Sequence, residues 1–175
     1  MKRVLLFLLV IPISYSVSVS QHRSMVGSDS AIVEDIGRAS DVYMSGNLAK
    51  AIPLYRSVYD REKSRRTLTP AFWRVLVDNL GMAYGITGNL DSAEAVFRYG
   101  IQSDSTYPLF HYNLACTYAE RDDMDQAIAR LTHAYAYKGN MMKGEEFPDP
   151  ANDESFKRFL GNKQFKAFLQ KMQDR

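Results

Sequence analysis

The side chains that most often carry catalysis or bind metals are sparse in this chain. The histidines are His22, His111 and His133, and the single cysteine is Cys116. No His-Glu-x-x-His pair occurs, and the cysteine does not stand at metal-ligand spacing from a histidine. The chain also lacks a Gly-x-Ser-x-Gly elbow and a phosphate-binding glycine loop. We therefore expect no metal, no cofactor and no enzymatic activity.

Two of these residues each allow two interpretations. His111 could be a ligand, but a packed and partly buried ring suits its helical position better, whereas we expect His133 to be exposed. Cys116 could be a reactive thiol, yet no cation adjoins it in sequence to lower its pKa. The sequence favours a small core side chain there. Because a lone cysteine forms no internal disulfide, packing must stabilise the fold.

Two acidic clusters could suggest calcium binding: Asp122, Asp123 and Asp125, and further on Asp149, Asn152, Asp153 and Glu154. A calcium loop needs oxygen ligands at alternating positions, a glycine for the sharp turn and a terminal bidentate glutamate. Neither cluster has that order. We expect both to cap helices and to complement the positive ends of helix dipoles.

The densest run of positive charge after the first residues consists of Arg61, Lys63, Arg65 and Arg66. Acidic residues are interspersed, and cations complement the negative end of a helix, so a solvated helix end is one interpretation. The alternative is a docking surface for an acidic partner or a lipid head group.

The first 20 residues have the organisation of a secretory signal peptide. Lys2 and Arg3 precede an apolar stretch over 4–13, and small residues allow cleavage after Ser18 or Ser20. The apolar stretch is about ten residues, half of the roughly 20 needed to cross a bilayer. We expect an exported protein, periplasmic or extracellular, without an integral membrane span after cleavage. Residues 21–31 are expected to form a flexible segment.

Overall charge argues against binding to nucleic acid. Without Lys2 and Arg3, the 22 basic side chains become 20, which equals the 20 acidic ones. Nucleic-acid binding depends on neutralising several phosphates with a basic surface. We expect no nucleic-acid partner.

A repeated pattern indicates the fold. The hexapeptides at 79–84, Asn-Leu-Gly-Met-Ala-Tyr, and at 113–118, Asn-Leu-Ala-Cys-Thr-Tyr, lie 34 residues apart. Both begin with Asn-Leu and a small residue and end with Tyr. Gly81 and Ala115 occupy the same position in the two copies. A period of this length is typical of stacked pairs of helices.

A second pattern identifies three units. The turns are Gly46-Asn47-Leu48, Gly88-Asn89-Leu90 and Asp122-Asp123-Met124. Each turn is followed at a constant offset by an alanine and, four residues later, by a large side chain: Ala51 and Tyr55, Ala93 and Phe97, Ala127 and Leu131. Alanine and the large residue share one helical face, where the alanine lets a neighbouring helix approach.

This layout resembles the tetratricopeptide repeat. The resemblance covers residues 32–139, with units at about 32–65, 74–107 and 108–141, and the first unit departs from the pattern at Asp35 and Arg38. A polar outer face is expected on a terminal repeat. The resemblance implies an all-α, right-handed solenoid of three helix pairs. We expect a loop over 140–152 and two short capping helices over 153–173 that cover the end with Phe and Leu.

The resemblance also implies a function, which is binding of a protein partner. In this family the first helix of each pair lines a concave groove, and the corresponding residues here are Val75, Asn79, Met82, Ile86, Leu109, Tyr112 and Asn113. Such a surface suits an extended peptide or an amphipathic helix. The same residues could instead pack between helices. Alternatives are a self-associating subunit of an envelope complex, with a homo-oligomer formed through the C-terminal Met and Phe residues, or a small-ligand receptor.

Overall fold

The structure is a computed structural model that describes residues 30–173, with the side chain of residue 173 excepted. The expected signal peptide and most of the expected flexible segment lie outside the described residues. The helices are α1 Ser30–Met44, α2 Leu48–Ser64, α3 Pro70–Ile86, α4 Leu90–Ser103, α5 Pro108–Glu120, α6 Met124–Ala136 and α7 Lys163–Gln173, with 3-10 helices at Lys138–Asn140 and Glu154–Phe159. Within this range the fold is all-α, as predicted. None of these helices is long and apolar enough to span a bilayer.

The helices pack in adjacent pairs along the chain, α1 with α2, α3 with α4 and α5 with α6. Successive pairs also contact each other, α2 with α3 and α4 with α5, and the first helices α1, α3 and α5 lie side by side. The 3-10 helix at 154–159 packs on α5, and α7 packs on α6. The C-terminal segment therefore closes the end of the stack.

The repeated turns have a shared local cause. Gly46 and Gly88 adopt φ values of 79° and 83°, a region that favours glycine because it has no Cβ. The following Asn47 and Asn89 cap α2 and α4, and their side chains accept a hydrogen bond from the first helical turn. In the third unit Asp123 caps α6 in the same way. This acidic cluster thus contains a helix cap, as the sequence predicted.

The small residues lie where helices cross. A Cβ placed on Gly81 would lie 2.4 Å from Cζ of Phe97, and one on Gly100 would lie 2.8 Å from Cγ1 of Val77. Ala51, Ala93, Ala115 and Ala127 are fully buried. Close approach of the helices at these positions is the physical basis of the stack.

The polar residues of the first unit lie on its outer side. Asp35 forms ion pairs with Arg38 on α1 and with Arg61 on α2. Four apolar residues of α1 face the core instead: Ile32, Ile36, Ala39 and Tyr43. The departure of this unit from the repeat pattern therefore gives the first helix pair a charged end.

Candidate protein-binding groove

The candidate site is the surface formed by α1, α3 and α5 on the side away from the second helices. On α3, Val75, Asn79, Met82 and Ile86 recur at intervals of four, three and four residues, which places them on one helical face. All four side chains are partly exposed. Met82 also packs against the core, so part of its surface is structural.

Residues of α1 extend this surface. Gly37, Ser40 and Met44 precede Asn79, Met82 and Ile86 by the same 42 residues that separate Ala51 from Ala93. The side chain of Met44 is among the most exposed large apolar groups of the described chain, at 53%. A Cβ on Gly37 would meet no atom within 4 Å. Sequence reasoning missed these α1 positions, although the repeat offset was a signal that could have found them.

A hydrogen-bonded chain joins the two helices of this surface. The hydroxyl of Tyr55 donates to Oγ of Ser40 at 2.9 Å and accepts from Nδ2 of Asn79 at 2.9 Å. Tyr55 itself is buried between the helices. The polar groups of Ser40 and Asn79 are therefore held in place by the core. We call the surface of Gly37, Ser40, Met44, Val75, Asn79, Met82 and Ile86 the open half.

One end of the open half borders a turn. Ile86 and Thr87 line a shallow, open depression together with residues 45–49, which form the turn after α1 and the start of α2. The depression offers apolar surface and backbone polar groups, but no convergent set of titratable side chains.

On α5 the same helical face is covered. Tyr112 is 1% exposed, Asn113 8% and Cys116 0%. The rings of Phe147 and Phe156 pack edge-on against Tyr112, with centroids 5.8 and 5.9 Å away. The prediction that Tyr112 and Asn113 line an accessible groove is therefore wrong, because side chains from residues 145–156 of the same chain pack on Tyr112, and Asn113 is buried as well. We call this surface the closed half.

Asp153 anchors the covering segment. Its Oδ2 accepts a hydrogen bond from the hydroxyl of Tyr112 at 3.0 Å, and its Oδ1 accepts one from the backbone of Ser155 at 2.9 Å. Cys116 donates a longer bond to the same carboxylate at 3.7 Å. Burial and the charge of Asp153 raise the pKa of the Cys116 thiol well above its usual value. This favours the interpretation of Cys116 as a core side chain.

Glu145 forms a second anchor. Its Oε1 accepts from the hydroxyl of Tyr107 at 2.7 Å, and its Oε2 accepts from the backbone of Met142 at 2.9 Å. Tyr107 is fully buried at the entrance to α5. The segment between α6 and α7 is thus tied at both ends to the closed half.

Asp78 and Asn113 form the boundary between the halves. Asn113 donates a hydrogen bond of 2.7 Å from Nδ2 to Oδ1 of Asp78, which links α5 to α3. Burial raises the pKa of Asp78 to about 7; the charge of Glu145 adds to this, and the Asn113 bond opposes it. Leu109, the remaining predicted residue, is partly exposed and packs against the core.

His111 and His133 lie as the sequence predicts, the first packed and the second exposed. His111 is 3% exposed, and its Nε2 lies 2.8 Å from the carbonyl oxygen of Ser105. Its ring stacks on that of His133, with centroids 5.3 Å apart, and burial lowers the pKa of His111. His133 is exposed. Among residues 30–173 no group of three or more His, Cys, Asp or Glu side chains could hold a metal ion.

Comparison with known proteins agrees with this architecture. The tetratricopeptide repeat family matches residues 77–107. The crystal structure of SycD, the type III secretion translocator chaperone of Yersinia enterocolitica, in an alternative dimer, is similar with a TM-score of 0.56. Sequence identity is 16%, and the match covers 83% of this chain and 94% of that one. No curated protein matches this chain.

Proposed function

We propose that this tetratricopeptide repeat protein is a non-enzymatic binding module whose open half holds a peptide or a helix of a protein partner. The observation that carries the proposal is the combination of two apolar side chains, the exposed Met44 and the partly exposed Ile86, with polar groups of Ser40 and Asn79 that are fixed through Tyr55. Apolar anchors supply affinity, and fixed hydrogen-bonding groups set the register of a bound segment.

Preorganisation supports this proposal. Ser40 and Asn79 are already held by the buried Tyr55 hydroxyl, so little conformational entropy is lost at these positions when a partner binds. The similar fold of SycD, a type III secretion translocator chaperone, supports a protein as the ligand class. We infer that Val75, Asn79, Met82 and Ile86 contact the partner, and that Leu109 contributes at the margin.

Crosslinking from a single position identifies the partner. A photoreactive residue replaces Ile86 in the open half or, as the matched control, the exposed Gln102 of α4 on the other side of the stack. We expect one protein to crosslink from position 86 and not from position 102. A partner that crosslinks equally from both positions would contradict binding in the open half.

Binding of the purified partner then tests the contact residues. We expect the double variant Met44→Asp and Ile86→Asp to weaken binding by about 100-fold, because two apolar contacts are replaced by charges. Gln102→Asp should leave affinity unchanged. Equal helical circular dichroism of the variants shows that the fold is intact.

Self-association is the second candidate. The C-terminal Phe side chains expected to mediate it are largely buried against the chain itself, which leaves the open half as the apolar surface for a second copy. SycD was crystallised as a dimer. Light scattering at micromolar concentration distinguishes self-association from binding of a different protein. A dimer that Ile86→Asp converts to a monomer supports self-association, and a monomeric parent chain excludes it.

We also propose export to the periplasm or the extracellular space, on the basis of the sequence of residues 1–20. N-terminal sequencing of the protein from its native host tests this. A mature chain that begins at Val19 or Gln21 supports cleavage after Ser18 or Ser20, and an intact Met1 would contradict export by this route.

A further inference from the structure

A further surface, which is positively charged, lies at the end of α2, where the basic run of the sequence is located. Arg56 pairs with Asp60, and Arg61 pairs with Asp35. Lys63, Arg65 and Arg66 are all exposed. These three cations form no ion pair with an acidic side chain in the described part of the chain. They form the group that we call the basic edge.

Aromatic rings hold two of these cations in place without neutralising them. Nζ of Lys63 lies 4.9 Å from the ring centre of Tyr99 and 5.6 Å from that of Tyr59, and Cζ of Arg66 lies 4.3 Å from the ring centre of Trp73. The three rings pack together, with Tyr59 stacked on Trp73 and Tyr99 edge-on to both. Contact with a ring face orients a cation and leaves its full positive charge available.

A buried carboxylate fixes the backbone of the basic edge. Glu62 is 1% exposed, and its carboxylate accepts hydrogen bonds from the backbone of Thr67 at 2.9 Å and of Leu68 at 3.0 Å. The hydroxyl of Thr67 donates to the same group at 2.7 Å. The only acidic side chain within the basic run is therefore turned inward, and it holds the loop that carries Arg65 and Arg66.

We propose that the basic edge is a docking site for an acidic segment of a protein partner. Three neighbouring cations repel each other, and that repulsion is relieved when carboxylates bind between them. The rings orient Lys63 and Arg66, and Glu62 fixes the loop that follows them, so less ordering is needed on binding. The chemistry that this surface recognises is a run of Asp or Glu side chains.

The basic edge is separate from the open half. Trp73 lies under the basic edge, and Val75 lies in the open half. Residues two positions apart in an α-helix are separated by about 200° around its axis, so the side chains of Trp73 and Val75 project from opposite sides of α3. One partner could contact both surfaces, but substitutions can disrupt either surface without changing the other.

The geometry favours a protein over a membrane or a nucleic acid. Lipid-binding basic clusters usually contain about four to eight cations, and three are present here. Tyr59 and Trp73 are 4% and 2% exposed, so their rings cannot insert into a bilayer or stack on a nucleic-acid base.

The test uses a fluorescently labelled oligoglutamate peptide and the purified chain at low ionic strength. Fluorescence anisotropy should report binding that weakens as salt rises. The emission of Trp73, the single tryptophan, should change on binding because Arg66 lies over its ring. Absence of binding at low salt would overturn the proposal.

Variants locate the peptide. We expect Lys63→Glu with Arg66→Glu to weaken peptide binding by at least about tenfold, since two attractions become repulsions. The control Lys143→Glu with Lys166→Glu changes the net charge equally at exposed positions elsewhere and should leave binding unchanged. Met44→Asp with Ile86→Asp should also leave it largely unchanged, which separates this test from that of the open half. Equal loss in the Lys143 and Lys166 control would overturn the proposal.

Competition distinguishes the ligand classes. Unlabelled oligoglutamate should displace the labelled peptide at lower concentration than single-stranded DNA or vesicles that contain anionic lipid. Stronger displacement by DNA or by the vesicles would overturn the assignment to a protein partner.

Discussion

The open and closed halves are built from equivalent helical positions, yet one faces outward and the other is buried. Asn79 and Asn113 occupy the same place in successive repeats; the first bonds to Tyr55 and remains partly exposed, and the second bonds to Asp78 and is buried. Side chains from residues 145–156 cover this face of α5, whereas the corresponding face of α1 stays exposed. A repeat therefore supplies a binding surface only where the chain leaves it uncovered.

Truncation of a covering side chain should have the largest effect. Phe156 is fully buried and packs on Tyr112 and Phe165. We expect Phe156→Ala to lower the free energy of unfolding by about 3–5 kcal/mol, through lost burial and a cavity. Met44→Ala in the open half should change it by less than about 0.5 kcal/mol. Urea denaturation measures both, and similar losses would remove the distinction between the halves.

Thiol labelling compares access to the two halves directly. Cys116 is fully buried and its thiol pKa is raised, so its reaction with a disulfide reagent requires local opening. We expect Ile86→Cys in a Cys116→Ala background to react at least about 100-fold faster than Cys116, for an opening free energy of roughly 3 kcal/mol. Phe156→Ala should accelerate labelling of Cys116. Fast labelling of Cys116 in the unmodified chain would contradict a closed half.

Stability should depend on pH through Asp78 at the boundary. Its folded-state pKa is raised to about 7 from 3.8, so the folded chain binds a proton that the unfolded chain has released between these pH values. Stability is therefore highest below the unfolded pKa and falls as pH rises through about 7, and Asp78→Asn should remove this dependence.

The amide oxygen introduced by Asp78→Asn can still accept the hydrogen bond from Asn113. We therefore expect this substitution to raise the free energy of unfolding by about 2 kcal/mol at pH 8 and to change it little at pH 4. Thermal denaturation across this range measures the effect. A variant whose stability changes with pH as much as the parent chain would show that another group is responsible.

Two glycines of the first helices give the last comparison. Gly81→Ala would bring a Cβ to 2.4 Å from Phe97, and we expect a loss of about 1–3 kcal/mol. Gly37→Ala meets no neighbour, and we expect a gain of up to about 1 kcal/mol from helix propensity. Chemical denaturation of both variants measures the two changes in the free energy of unfolding. Destabilisation by Gly37→Ala would show that this part of the open half is packed.

The sequence predicted the stack because its signals are local and repeated. Gly81, Ala93, Ala115 and Ala127 are small because a helix crosses at each, and equal crossings recur at nearly equal intervals. Asn47, Asn89 and Asp123 mark helix starts because their side chains bond to the first turn. Such patterns depend only on neighbours within one or two helices.

The groove was only partly predicted. Val75, Asn79, Met82 and Ile86 are partly exposed at the expected positions, and their binding role stays a prediction. Tyr112 and Asn113 follow the same pattern but are buried. Asp153 and Phe156, from about 40 residues along the chain, contact Tyr112, and Asn113 bonds to Asp78 on the neighbouring helix. No periodicity specifies which surface such a distant segment will cover.

The sequence by itself determined the all-α class, the three helix pairs and their turns, since each follows from the spacing of small, apolar and capping residues. Only the tertiary structure decided which part of the groove face stays accessible and which cations remain unpaired. Both depend on contacts between distant segments: residues 145–156 against α5, and Asp35 against Arg61. Long-range packing selects among surfaces that local patterns make equivalent.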